Sequence, residues 1–142
     1  METVFKVVRK DNRKLTSCSV EEKSLIVNYK YPVVSRDGLF VFQNPYWAKK
    51  FASDYKHFRI IKGITSKILS LDWCLDKVTI EEHKIFWDFY FKNKKLPNNV
   101  DMMKINLYPY RAPWGTFVCF DFKMTNRFVD INYEIDKFEG EM

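Results

Sequence analysis

The residues of this 142-residue chain with the chemistry for proton transfer, nucleophilic attack or metal binding are few and widely spaced. There are two histidines, His57 and His83, and neither has a Cys or acidic neighbour at metal-ligand spacing, so no metal is expected. The cysteines, Cys18, Cys74 and Cys119, are an odd number lying more than forty residues apart, which suits reduced, buried thiols better than a disulfide framework. A Cys nucleophile served by His57 or His83 would have to be assembled by the fold, because such partners meet in space and not in sequence. There is no Gly-rich phosphate loop, GxSxG elbow, HExxH or paired CxxC, and no cofactor is expected.

Two other groupings point to binding. The first is basic: Lys6, Arg9, Lys10, Arg13 and Lys14, then Lys49, Lys50, Lys56, Arg59 and Lys62. Residues 1–67 hold 14 Lys/Arg against 6 Asp/Glu, and residues 68–142 hold 10 against 12, so a net +8 half precedes a net −2 half. A basic face of this kind neutralises phosphates, and Phe5, Tyr29, Tyr31, Tyr46 and Tyr55 lie among the cations as candidate stacking platforms. The second is the segment Tyr108-Pro-Tyr-Arg-Ala-Pro-Trp-Gly115. A loop holding Tyr108, Tyr110, Arg111 and Trp114 either folds back on the core or contacts a ligand or partner, since Tyr, Trp and Arg dominate interface hot spots.

The elements that must position these residues read as one α+β domain spanning 1–142. Hydrophobic residues make up 46% of the chain and aromatics 18%, ample for a single core. Charged side chains interrupt every apolar run, so no membrane span is expected, and the N-terminus lacks the pattern of a secretory signal; a cytoplasmic protein is the expectation. Strands are predicted at Val4–Val8, Leu15–Val20, Leu25–Tyr31 and Leu39–Phe42, with Asp37-Gly38 a turn. Further extended segments are predicted at 57–61 and 64–71 on either side of Gly63. Asn44-Pro45 is an N-cap followed by a first-turn proline, opening a helix over 45–55 with Trp47, Ala48, Phe51, Ala52 and Tyr55 on its buried stripe.

Thr79 and Glu82 form a capping box that opens a second helix over 80–94, with an expected apolar face of Ile85, Phe86, Phe89 and Tyr90 and a solvated His83. Pro97-Asn98-Asn99 ends it. Segments 103–108, 117–122 and 128–135 alternate or run apolar and are predicted to form an antiparallel meander, giving about six to eight strands in all, with a fraying acidic tail from Lys137.

Phe5-Lys-Val-Val8, Asp37-Gly38, Leu39-Phe-Val-Phe42 and Ala48 with Phe51 resemble a pattern found in small uncharacterised α+β proteins of phage and large viruses, over about residues 4–68. That resemblance implies an accessory protein acting in the host cytoplasm. Leu39–Phe42, Asn44 and Ala48–Ala52 are also similar to a core strand and helix of ADP-ribosyltransferase-like folds. This second resemblance implies Glu134 as catalytic acid and Arg9 or Lys10 near the dinucleotide phosphates, although the nicotinamide-clamping His-Gly or Ser-Thr-Ser motif is missing. The leading expectation is a non-catalytic domain binding a protein partner through the Tyr108–Trp114 loop. A nucleic-acid-binding domain using the basic half is the alternative, and the ADP-ribosyltransferase-like enzyme ranks third.

Overall fold

A computed structural model describes residues 1–11, 14–17, 28–53, 58–75 and 79–126. The chain is α+β, with strands β1 (Glu2–Asp11), β2 (Lys14–Ser17), β3 (Val33–Phe42), helix α1 (Pro45–Ala52), β4 (Phe58–Thr65), β5 (Leu69–Ser70), β6 (Trp73–Cys74), helices α2 (Ile80–Asn93) and α3 (Asn99–Lys104), β7 (Tyr110–Arg111) and β8 (Thr116–Asn126). Cys18, Arg13, Tyr55, His57, Glu134, the body of the predicted 25–31 strand and the 128–135 strand lie outside the described residues.

Among the described residues all pairings are antiparallel, and the long strands close on themselves. β1 runs beside β4 from Glu2↔Thr65 to Arg9↔Phe58, β4 meets β8 at Ile64↔Lys123, and β8 runs beside β3 from Phe42↔Thr116 to Val33↔Phe122. β3 then returns to β1 through the single pair Phe5↔Phe42. The result is a small barrel of four strands, with β2 added to β1 and β5 to β8. A ring of so few strands closes only when they are strongly bent, and the irregularities are placed accordingly. Opposite Phe120 of β8, four residues of β3 (Ser35 to Gly38) stand between the pairs Val34↔Asp121 and Leu39↔Cys119. The predicted Asp37-Gly38 turn is therefore a bulge inside one strand. A second shift falls at Lys62/Gly63, where a Cβ on Gly63 would lie 2.5 Å from the Phe122 ring and 2.6 Å from the Lys123 carbonyl oxygen. Gly63 thus lies within one continuous β4, not between two extended segments.

Three apolar clusters follow from the alternation. Val4, Val8, Leu39, Val41, Ile61, Cys119 and Phe122 fill the barrel with Leu15 and Tyr29. Phe5, Val7, Phe42 and Ile60 point outward and are roofed by Ala48 and Ala52 of α1. Phe86 and Trp87 of α2, Met102 of α3 and Leu107 cover Val118 on the opposite flank. Cys119 and Phe122 both belong to the barrel cluster although three residues apart, so the two-residue alternation of β8 slips once between them, facing the β3 bulge.

Several sequence expectations are corrected. The 103–108 segment is not a strand: Asn98 and Asp101 form a capping box that starts α3, and the helix ends in a turn in which Asn106 has φ 59°. Reciprocal capping bonds hold two backbone donors there, which alternation alone could not. Residues 29–31, predicted to end a strand, form a turn in which the Asn28 side-chain oxygen accepts from the N–H groups of Leu15 and Lys30. Among the described residues β8 is bordered by β3 on one edge and by β4 and β5 on the other, so 117–122 does not pair with 103–108 as the predicted meander required.

Candidate functional site

The Tyr108–Trp114 segment is held by its backbone, which leaves its rings outside. β7 pairs with β6 (Trp73↔Arg111, Cys74↔Tyr110), and the Ala112 N–H donates to the Asp72 carbonyl at 2.9 Å. A turn follows in which the Thr116 N–H and Oγ1 both donate to the Pro113 carbonyl, at 3.1 and 2.6 Å. Its third residue, Gly115, has φ +81°, and a Cβ there would sit 2.8 Å from the Trp47 ring. Only glycine fits a turn with that φ and that neighbour. Trp114 is projected at the turn's tip, 73% exposed, with its ring 6.1 Å from that of Trp47 at an edge-on angle.

Tyr108 and Tyr110, two residues apart in extended chain, share a side. Their rings are 5.1 Å apart and 72% and 44% exposed. Arg111 faces the other way and lies over the Trp73 ring, 5.3 Å from its centroid. On α1, Tyr46 contacts Trp47 and carries the Lys50 ammonium 5.4 Å above its ring. Aromatic faces and cations alternate across this region, and Tyr, Trp and Arg are the residue types enriched at interface hot spots.

One member of the predicted basic cluster is withdrawn from solvent. Lys6 is 2% exposed: alternation turns it inward between Val4 and Val8, where its Nζ donates to the Phe40 carbonyl at 2.6 Å and lies 5.3 Å from the Tyr29 ring centroid. Phe5 and Tyr29 are buried too, which removes them as stacking platforms. Arg9, Lys14, Lys50 and Arg59 are exposed, Lys49 and Lys62 half-exposed.

His83 is not the solvated residue expected. Its side chain is 12% exposed, its Nδ1 lies 3.2 Å from Asp37 Oδ2, and its Nε2 accepts from Trp87 Nε1–H at 3.3 Å. The imidazole is the neutral Nδ1–H tautomer, and with both nitrogens committed it offers no base to a thiol. It ties α2 to the β3 bulge. In the same tie Arg36 bridges Asp37 and Asp88 and covers the Phe91 ring at 4.6 Å, while Gly38 leaves no space between its own Cα and Trp87. Burial lowers the His83 pKa from 6.5 against the opposing pull of Asp37. Asp121 shows the complementary case: its carboxylate accepts from Thr65 Oγ1 (2.6 Å), the Ser66 N–H (3.0 Å) and Ser66 Oγ (2.8 Å), and these bonds lower its pKa from 3.8.

Both shifts make the folded state the weaker proton binder, so stability falls with acidification. The His83 contribution is intact above about pH 6.5 and drains away as pH drops below it, whereas that of Asp121 is lost only below about pH 3.8. Thermal melts from pH 8 to pH 3 should show two declines. His83→Phe should abolish the upper one, and an unchanged upper decline in that variant would show that His83 is not its source.

Among the described cysteines, Cys119 is fully buried and its thiol is pushed up by burial, while Cys74 is half-buried. Among the described residues no three His, Cys, Asp or Glu side chains are grouped to hold a metal, and no helix is long and apolar enough to cross a membrane. No protein-family model, curated protein or solved structure matches this chain.

Proposed function

We propose that this protein is a non-catalytic binding domain whose contact surface is the Tyr108–Trp114 loop together with its neighbour Trp47. The observation that carries the reading is that Tyr108 and Trp114 leave about three-quarters of their surface in solvent while the backbone between them is fixed by the β6–β7 pairing and the glycine turn. Large rings held out on a rigid support lose little further entropy on binding. The commitment of both His83 nitrogens to Asp37 and Trp87 supports a role without catalysis.

Replacing Tyr108, Tyr110 and Trp114 together by Ser should leave stability within about 1 kcal/mol of wild type, because exposed positions contribute little to folding. The same variant should lose whatever ligand wild type binds in a panel of labelled oligonucleotides and peptides read by fluorescence anisotropy. A stability loss well beyond that figure would make the rings part of the core and end the proposal, as would a panel in which nothing binds.

A further inference from the structure

The charge around these rings indicates what they hold. Residues 39–53, which carry α1, and residues 102–120, which carry the loop and its turn, contain Lys49, Lys50, Lys104 and Arg111 and not one Asp or Glu, in a chain with 18 acidic residues. Asp72, just before β6, puts a carboxylate at the edge of the loop. Two of the four cations are already seated on aromatic rings, Lys50 on Tyr46 and Arg111 on Trp73. A surface for an ordinary protein epitope mixes both signs of charge. A surface that alternates exposed rings with cations and is poor in carboxylates is complementary to a polyanion with flat, unpaired faces.

We infer that the occupant is single-stranded nucleic acid, with unpaired bases stacking on Trp114, Tyr108 and Tyr110 and phosphates neutralised by Lys50, Arg111 and their neighbours on the two acid-free segments. The inference rests on the binding-domain reading above and adds the ligand class. It differs from a basic patch on β1, because Lys6 is buried there. Rings at the tip of a turn and along a two-residue strand reach bases only where these are unpaired, so duplex DNA should be the poorer ligand. Stacking is tolerant of sequence, because every base has a π-face.

The test is fluorescence titration of the full chain with dT15, U15, a 15-base-pair duplex and a proline-rich peptide at 50 and 200 mM salt. The expected result is binding of the single strands above the duplex, with the dT15 and U15 arms showing whether the sugar is read. If four phosphates are neutralised, affinity should drop about fiftyfold between the two salts. Trp114→Ala and Tyr108→Ala should each weaken single-strand binding by roughly ten- to a hundredfold with unchanged melting temperature. Single strands that fail to bind at 50 mM salt overturn the inference. Peptide binding lost in the Trp114 variant would in that case preserve the binding-domain reading, whereas no binding in any arm removes both. Single-strand affinity unaffected by the ring variants but abolished by Arg9→Glu with Lys14→Glu would move the site to β1 and overturn the inference as well.

Discussion

Trp87→Ala should lower the free energy of unfolding by about 3–5 kcal/mol, the cost of removing a large buried aromatic and leaving a cavity. Trp87 has no exposed surface and lies within 6.5 Å, centroid to centroid, of His83, Phe40, Phe86, Tyr90 and Phe120. It joins the barrel flank to α2 at the place where Gly38 admits it. Removing it leaves His83 Nε2 without its donor as well as opening the cavity. Against a total stability of roughly 5–15 kcal/mol, that is a large share of what keeps the protein folded. In urea titration the midpoint should fall with the slope unchanged. Trp87→Phe keeps most of the volume and should cost markedly less. A loss under about 1 kcal/mol for the alanine variant would show that α2 is not anchored through this ring.

Lys6→Glu should be comparably damaging, at about 3–5 kcal/mol, because it leaves a buried charge with no counterpart. The Lys6 ammonium has the Phe40 carbonyl oxygen as acceptor and the negative face of Tyr29 above it. A carboxylate in that position would meet the same oxygen and the same ring face with its own negative charge. Lys6→Met is the informative companion. It keeps the stem that packs among Val4, Val8 and Ile61 and loses one charge-assisted bond, a cost of about 1.5–3 kcal/mol that is partly returned because no charge need be desolvated. Its affinity for single strands should equal that of wild type. Weakened binding with unchanged stability would instead identify Lys6 as a phosphate contact and contradict its burial.

The sequence announced its helix starts well and its side-chain facing less well. Asn44-Pro45 and Thr79…Glu82 cap α1 and α2 as their residue types require, since caps act over three residues and need no tertiary partner. Asn98 and Asp101 form the same device, yet the preceding Pro97 made this stretch read as a terminator and the alternation of Met103, Ile105 and Leu107 then favoured a strand. On α2 the buried stripe is His83, Phe86, Trp87 and Tyr90, spaced i, i+3, i+4 and i+7, whereas the expected face of Ile85, Phe86, Phe89 and Tyr90 is rotated around the helix. Ile85 is exposed at its edge. So many aromatics surround the helix that hydrophobicity alone does not choose between adjacent stripes.

Lys6 was legible in principle. Strict two-residue alternation from Val4 to Val8 turns it inward, but grouping by charge hid this. The Tyr108–Trp114 loop stood out by composition alone. Its exposure was not readable, because that depends on the pairing of β6 with β7 and on Trp47 meeting Gly115, contacts between residues far apart in the chain.

The ring of strands also has an order of assembly written into it. β1 and β3 touch at one residue pair, so neither holds the other in place; each is secured through β4 or β8, and the last of these ends at Asn126. A ribosome making this chain therefore releases most of the barrel wall before the strand that locks it exists. Until β8 is in place, the open edges of β3 and β4 are the surfaces a chaperone would have to shield.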